Sequence, residues 1–235
     1  MADSSVFKGL VMVHAAAGMV ALFVAPVAMV VKKGASWHRL AGRAFFFSMA
    51  VVCLSSVVMA VLEPNDLWLA LLAIFSFHMC ASGYRALYLK KLHQGLRPQR
   101  LDLLLHGIAG LVNGGLLIWG LSHMLMGVKD RRALLFTVFG AIGMFMVFRY
   151  LNEFYKRKHD RREWFFGHIT GFLGGYIATL SAFSAVNLGM IHPMWLRWLW
   201  PTMLGVPALV LLRLYYRRKF ENGSRVRDIA EVRIH

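Results

Sequence analysis

The sequence predicts an all-α membrane protein: a bundle of seven transmembrane helices with the N-terminus outside and the C-terminus in the cytoplasm. Three observations predict it. Of the 235 residues, 58% are hydrophobic and only 16% charged, where a soluble domain carries about 25% charged residues. The apolar residues gather in blocks of roughly 20, the length that crosses a hydrocarbon core of about 30 Å as a helix. The bases, Lys+Arg 27 against Asp+Glu 11, fall between the blocks. Strand-type alternation is absent, and backbone polar groups in lipid must be satisfied within each segment, so helices are expected and a β-barrel is not.

The blocks follow in order. Gly9–Val31 comes after a leader, Met1–Lys8, with one acid and one base; its positive cluster, Lys32 and Lys33, lies beyond the apolar run. That order, and a run too long for a signal-peptide core, predict a retained helix. Ala44–Leu62 follows Ser36, a plausible cap, and the group His38, Arg39, Arg43. Leu67–Leu89 begins beside Trp68 and ends among Tyr84, Arg85 and Tyr88. Leu103–Leu125 and Ala133–Leu151 make the fourth and fifth spans, Phe165–Gly189 the sixth and Met194–Tyr216 the seventh. Trp37, Trp68, Trp164, Trp195, Trp198 and Trp200 lie near span ends, as interfacial aromatics do. Pro26 and Pro207 fall inside spans, where they can kink a helix. Residues 1–218 thus form the membrane domain and 219–235 a basic tail.

Orientation follows from the bases. With alternating crossings, 22 of the 27 fall on the side of the tail and five, Lys8, Lys129, Arg131, Arg132 and Arg197, on the other. The rich side is cytoplasmic by the positive-inside rule. The formal charge of +16 is then explained by topology and by anionic lipid head groups, and nucleic acid is not an expected partner. The expected location is a bacterial cytoplasmic (inner) membrane. Cys53 and Cys80 both fall within spans and read as apolar-facing thiols.

Two features inside the spans bear on function. No Asp or Glu is expected well inside any span, which argues against a proton-coupled transporter or an intramembrane hydrolase built on a buried carboxylate. Histidine is placed there instead: His14, His78, His106, His123 and His168 fall in spans, and His38 at the start of the second helix. Intramembrane ionisable residues are costly and are functional candidates by default; the plainer alternative is hydrogen bonding between helices. His14, His38 and His106 are each followed by Gly four residues on (Gly18, Gly42, Gly110), and His168 by Gly171 at three, with Gly114 and Gly175 continuing the stripes. Such offsets share a helix face. They serve either close helix packing or a flat macrocycle lying beside a ligating imidazole.

Depth selects partners. His106 and His168 are each the fourth residue of an inside-to-outside span, so they are expected at one level, with His38 near it. Arg39, Arg43 and Arg85 are close in depth and could neutralise propionates or phosphates. His14 and His78 form a second, outer candidate pair. Two cofactors fit this inventory. A b-type haem takes two neutral imidazoles and suits electron transfer, with quinone or a redox protein as partner; His106 and His168 are the first choice of ligands, while span register leaves His38–His168 open. Zinc held by His38, His106 and His168 with a water suits a membrane-embedded hydrolase. A non-catalytic assembly or transport component is the third class.

The stretch from His14 through KKGASWHRLAGRAFFFSM resembles a family of bacterial integral membrane proteins known as a domain of unknown function. The resemblance rests on a His in the first helix, here His14, and an HRxxGR opening of the second, here His38, Arg39, Gly42 and Arg43. The segment GHITGFLGGYIATLSAFSAVN, with His168, is similar to it as well. This implies an integral membrane protein and no particular reaction. The layout of paired histidines also resembles that of transmembrane b-type cytochromes, and three histidines at one level in seven spans resemble ceramidase-like and progestin-receptor-like proteins.

The topology is checked by fusing a compartment-sensitive reporter after His235. A cytoplasmic signal is expected; a periplasmic one would reverse the orientation.

Overall fold

The computed structural model describes residues 4–226, so part of the expected tail, including Arg227 and Arg233, lies outside the described residues. The chain forms seven α-helices: α1 Ser4–Val30, α2 Ser36–Leu62, α3 Leu67–Ala86, α4 Arg100–Leu125, α5 Ala133–Tyr155, α6 Glu163–Asn187 and α7 Met194–Glu221. All seven are long and apolar enough to cross a membrane, which makes this a multi-pass membrane protein. The described residues contain no strand.

Most helices overrun the expected apolar blocks at the basic end. α2 begins eight residues before Ala44, α5 continues to Tyr155 and α7 to Glu221. A helix does not stop where the hydrocarbon does; its next turns lie among head groups, where Lys and Arg stems can cover apolar surface while the charges reach water. α1, which stops at Val30, and α3 are the exceptions. α3 ends at Ala86, and Leu89 instead packs in a small cluster with Leu92 and Phe154. Pro26 lies within α1, and α7 carries both Pro201 and Pro207.

Contacts at the two ends confirm an up-and-down bundle. At the basic end Arg85 of α3 binds Asp102 of α4, and Arg162, just before α6, lies over Phe220 of α7. At the other end Trp68 of α3 meets Trp198 of α7 with ring centroids 5.8 Å apart. There Asp130 accepts from Arg132, whose side-chain and backbone N–H groups together hold its carboxyl down at about 2.

α3 occupies the middle of the bundle. It is built for that place by small residues on its last turns, with Cys80, Ala81, Ser82, Gly83 and Ala86 all buried. α6 answers with Gly167, Gly171 and Gly175. Gly83 and Gly171 meet backbone to backbone: a Cβ on Gly171 would fall against the Cα and N of Gly83, and a Cβ on Gly83 would lie 2.8 Å from the Phe172 nitrogen. Gly175 packs on Cys80. On the other flank, Gly143 of α5 receives Asn113 of α4, leaving no space for a methyl. The glycines after the histidines therefore divide. Gly171 and Gly175 serve helix packing, Gly110 and Gly114 make ordinary contacts with Val147 and Met144, and Gly18 and Gly42 face open space.

Gly171→Val forces α3 and α6 apart and is expected to destabilise the bundle by about 3 kcal/mol or more, the upper range for overpacking. Gly42→Ala, with nothing near its new methyl, is expected to be neutral. Thermal unfolding of the two variants in detergent checks the contrast.

Candidate functional site: two histidine pairs flanking α3

The intramembrane histidines are brought together in two pairs, and the pairing differs from the first choice. His106 meets His78, not His168: His78 Nε2 and His106 Nδ1 share a hydrogen bond of 3.0 Å, with the rings edge to face at 5.2 Å. His168 meets His38, with ring centroids 6.1 Å apart and planes at 67°. Of the two pairings the sequence left open for His168, the structure takes His38. His106 and His168 share no hydrogen bond or ring contact among the described residues.

The reason is the rotation of α3. His78 and Gly83 are five residues apart, which turns them about 140° around the helix axis. The Gly83 side faces α6, where its carbonyl accepts from His168 Nδ1–H at 3.1 Å. The His78 side faces α4 and α5, where His106 stacks on Tyr150 at 5.1 Å. α3 thus stands between the two pairs.

In the His38–His168 pair both rings are held in the same way. His38 Nδ1 lies 2.9 Å from the Ala28 carbonyl of α1, as His168 Nδ1 does from that of Gly83. A carbonyl only accepts, so in each ring Nδ1 carries the proton and, in the neutral imidazole, Nε2 keeps its lone pair. This is the tautomer of an imidazole whose far nitrogen is free to bind a metal, and a backbone carbonyl is a common orienting partner for such ligands. Phe172 packs against His168 at 4.7 Å. Beyond it Phe45 and Phe172, 5.8 Å apart, and Tyr176 fill the seam between α2 and α6.

The three arginines weighed from the sequence take separate places, and of these Arg39 lies beside His38. Arg39 donates to the Gly34 carbonyl. Arg43 has no acidic partner among the described residues and lies near Tyr84, whose ring stacks on Phe46 at 4.3 Å. Arg85 is committed elsewhere: it forms a two-pronged pair with Asp102, 2.6 Å and 3.0 Å, and reaches Gln99 at 3.0 Å. Its place as a cofactor's counter-charge is taken by that carboxylate.

Asp102 is the residue sequence reading missed. The apolar block of the fourth span begins one residue later, at Leu103, but α4 starts at Arg100 and Asp102 is fully buried in its first turn. There it also accepts from the Gln99 backbone N–H at 2.8 Å, closing a capping box. The usual sequence form of that motif is Ser or Thr followed three residues on by Glu or Gln, and Gln99 with Asp102 departs from it at both positions.

The remaining histidines bond locally. His14, expected opposite His78, donates to Ser55 Oγ at 3.0 Å; the Ser55 proton is already committed to the Val51 carbonyl. His123 Nδ1 donates to the Trp119 carbonyl one turn back. No group of three or more His, Cys, Asp or Glu among the described residues could hold a metal ion, so His38, His106 and His168 do not converge as a zinc triad. Cys53 and Cys80 are buried, free thiols. At the basic end, the loops over 87–99 and 156–162 border an open cleft of ≈ 630 Å³ lined by His93, Arg97, Arg157, Lys158 and His159.

No family model, curated protein or solved structure matches the chain.

Asp102→Asn leaves Arg85 without its charge partner in a partly closed site, and is expected to cost about 3 kcal/mol, the scale for breaking a buried ion pair. Unfolding of Asp102→Asn beside the reversed pair Arg85→Asp/Asp102→Arg measures it.

Proposed function

We propose that this is a redox protein of the bacterial cytoplasmic membrane, holding a b-type haem between His38 and His168 near the cytoplasmic face. The observation that carries the reading is the pair's geometry. The rings of His38 and His168 lie together, with centroids 6.1 Å apart, and would hold the haem through their Nε2 atoms. Both rings have Nδ1–H tied to a backbone carbonyl, so the ligating lone pairs are fixed before any ligand arrives.

The surroundings fit a flat macrocycle on one side. Gly42, one turn beyond His38, has no atom within 4 Å of where a Cβ would lie. Phe45 and Phe172 close the seam toward the midplane. Arg39 and Arg43, on the same helix as His38, supply positive charge for carboxylate substituents. When bound there, a b-type haem would supply one-electron transfer. The chain's own residues orient the two rings, exclude water with Phe45 and Phe172, and balance charge at the head-group level. A quinone or a soluble redox protein is the partner class that fits such a centre.

The test is the reduced-minus-oxidised visible spectrum of the purified protein, with metal analysis of the same sample. Low-spin haem bands are expected, lost in His38→Ala and His168→Ala and kept in His106→Ala. Stoichiometric zinc without colour would move the reading to a zinc protein, and a colourless, metal-free protein would overturn it and leave the histidines as links between helices.

A further inference from the structure

The second pair, His78 and His106, lies on the opposite side of α3 and takes no part in the centre proposed above. Both rings are buried, 1% and 2% exposed, and each uses one nitrogen on the other. Their outer nitrogens are unpaired: His78 Nδ1 is a sealed polar atom without a hydrogen-bond partner, and His106 Nε2 has no hydrogen bond among the described residues. Beside His106 is a void of ≈ 20 Å³ bordered by Ser82, Arg85, His106, Tyr150, Glu153 and Glu163. A single water needs about 10–15 Å³ measured in that way, together with two or more polar partners. Ser82, 3% exposed, borders the void with a hydroxyl that is bonded to nothing. Two buried polar side chains and a space of the right size thus meet at the basic end, beneath the loop that follows α3.

We infer that this void holds one water, hydrogen-bonded to Ser82 and His106, and that the water makes the His78–His106 pair a proton-accepting site open to the cytoplasmic side. The inference is independent of whether His38 and His168 bind a metal.

In one neutral arrangement His106 Nδ1–H donates to His78 Nε2, and His106 Nε2 has a lone pair facing the water. A proton arriving through the water forms an N–H bond at His106 Nε2. The Nδ1–H bond of His106 then breaks as an N–H bond forms at His78 Nε2, leaving the positive charge on His78. The charge leaves by the way it came: the proton returns from His78 Nε2 to His106 Nδ1 as the N–H bond at His106 Nε2 breaks and the water takes that proton, because His78 Nδ1 is sealed and has no acceptor. No electron moves, and the only co-reactant is water.

The charged groups around the pair are already matched. From α3, Arg85 faces Asp102 of α4. From α5, Glu153 is held by Arg149, and Tyr150 donates to the Gly167 carbonyl. Glu163 of α6 is held by Lys156 and His159. Arg213 of α7 donates to Thr170. The two histidines are therefore the proton acceptors beside the void that no ion pair already holds.

Histidine C2-proton exchange in deuterated water, read by mass spectrometry on the full-length protein in lipid nanodiscs, tests this, because exchange requires the protonated ring and solvent base to reach it. His106 is expected to exchange with a sigmoidal pH profile. Ser82→Val, which fills the void, is expected to slow it by about tenfold or more. If that variant fails to fold, Ser82→Thr narrows the same space with one methyl and keeps the hydroxyl, and a smaller slowing is expected. A wild-type His106 as inert as a sealed core residue would overturn the inference, and so would a rate unchanged in the folded variant.

Discussion

The backbone contact between α3 and α6 at Gly83 and Gly171 decides most of what is distinctive in this bundle. Two helices meeting without side chains between them have one rotational setting, and that setting turns the Gly83 carbonyl toward His168 and the His78 ring away toward α4 and α5. In a bilayer the apolar effect does not distinguish helix from lipid, so close backbone approach and hydrogen bonds between helices supply the specificity. The small residues of α3 from Cys80 to Ala86 are what allow a central helix to be touched on several sides. A pair of histidines on each flank is the consequence.

The same solvent explains why the polar groups are so thoroughly committed. Inside the bundle an unpaired donor has no water to fall back on, and His14, His38, His123 and His168 each place Nδ1 on an oxygen within reach. This makes part of their role structural. It also leaves the second nitrogen of His38 and of His168 as a defined acceptor, and the functional reading rests on that remainder. The Arg85–Asp102 pair works differently. It joins α3 to α4 near the head groups, caps the start of α4 and removes a cation from the possible ligand contacts.

Seven spans, their order and their basic loops were legible in the sequence because length and hydropathy report position along the membrane normal. The level of His38 was legible too, close to that of His168, since both lie within two turns of a helix start at the basic end. Which histidines meet was not legible. A membrane helix is apolar toward lipid and toward its neighbours alike, so its hydropathy says little about rotation, and rotation alone decides that His106 faces His78 and not His168. Gly171 illustrates the point: its spacing from His168 suited a macrocycle as well as a helix, and only the position of Gly83 distinguishes them. Asp102 was missed because hydropathy ends a span at a charge, whereas a helix can begin with one.

The central claim is that His38 and His168 are held as a matched pair with protonated Nδ1 and available Nε2. Solid-state 15N NMR of the histidine-labelled protein in bilayers, with His38→Gln and His168→Gln for assignment, measures this directly. The account predicts that both rings carry the proton on Nδ1, with Nε2 either unprotonated or shifted by a bound metal. Protonated Nε2 and bare Nδ1 in either ring would contradict it, because neither carbonyl bond could then exist and the pair would have no ligand to offer.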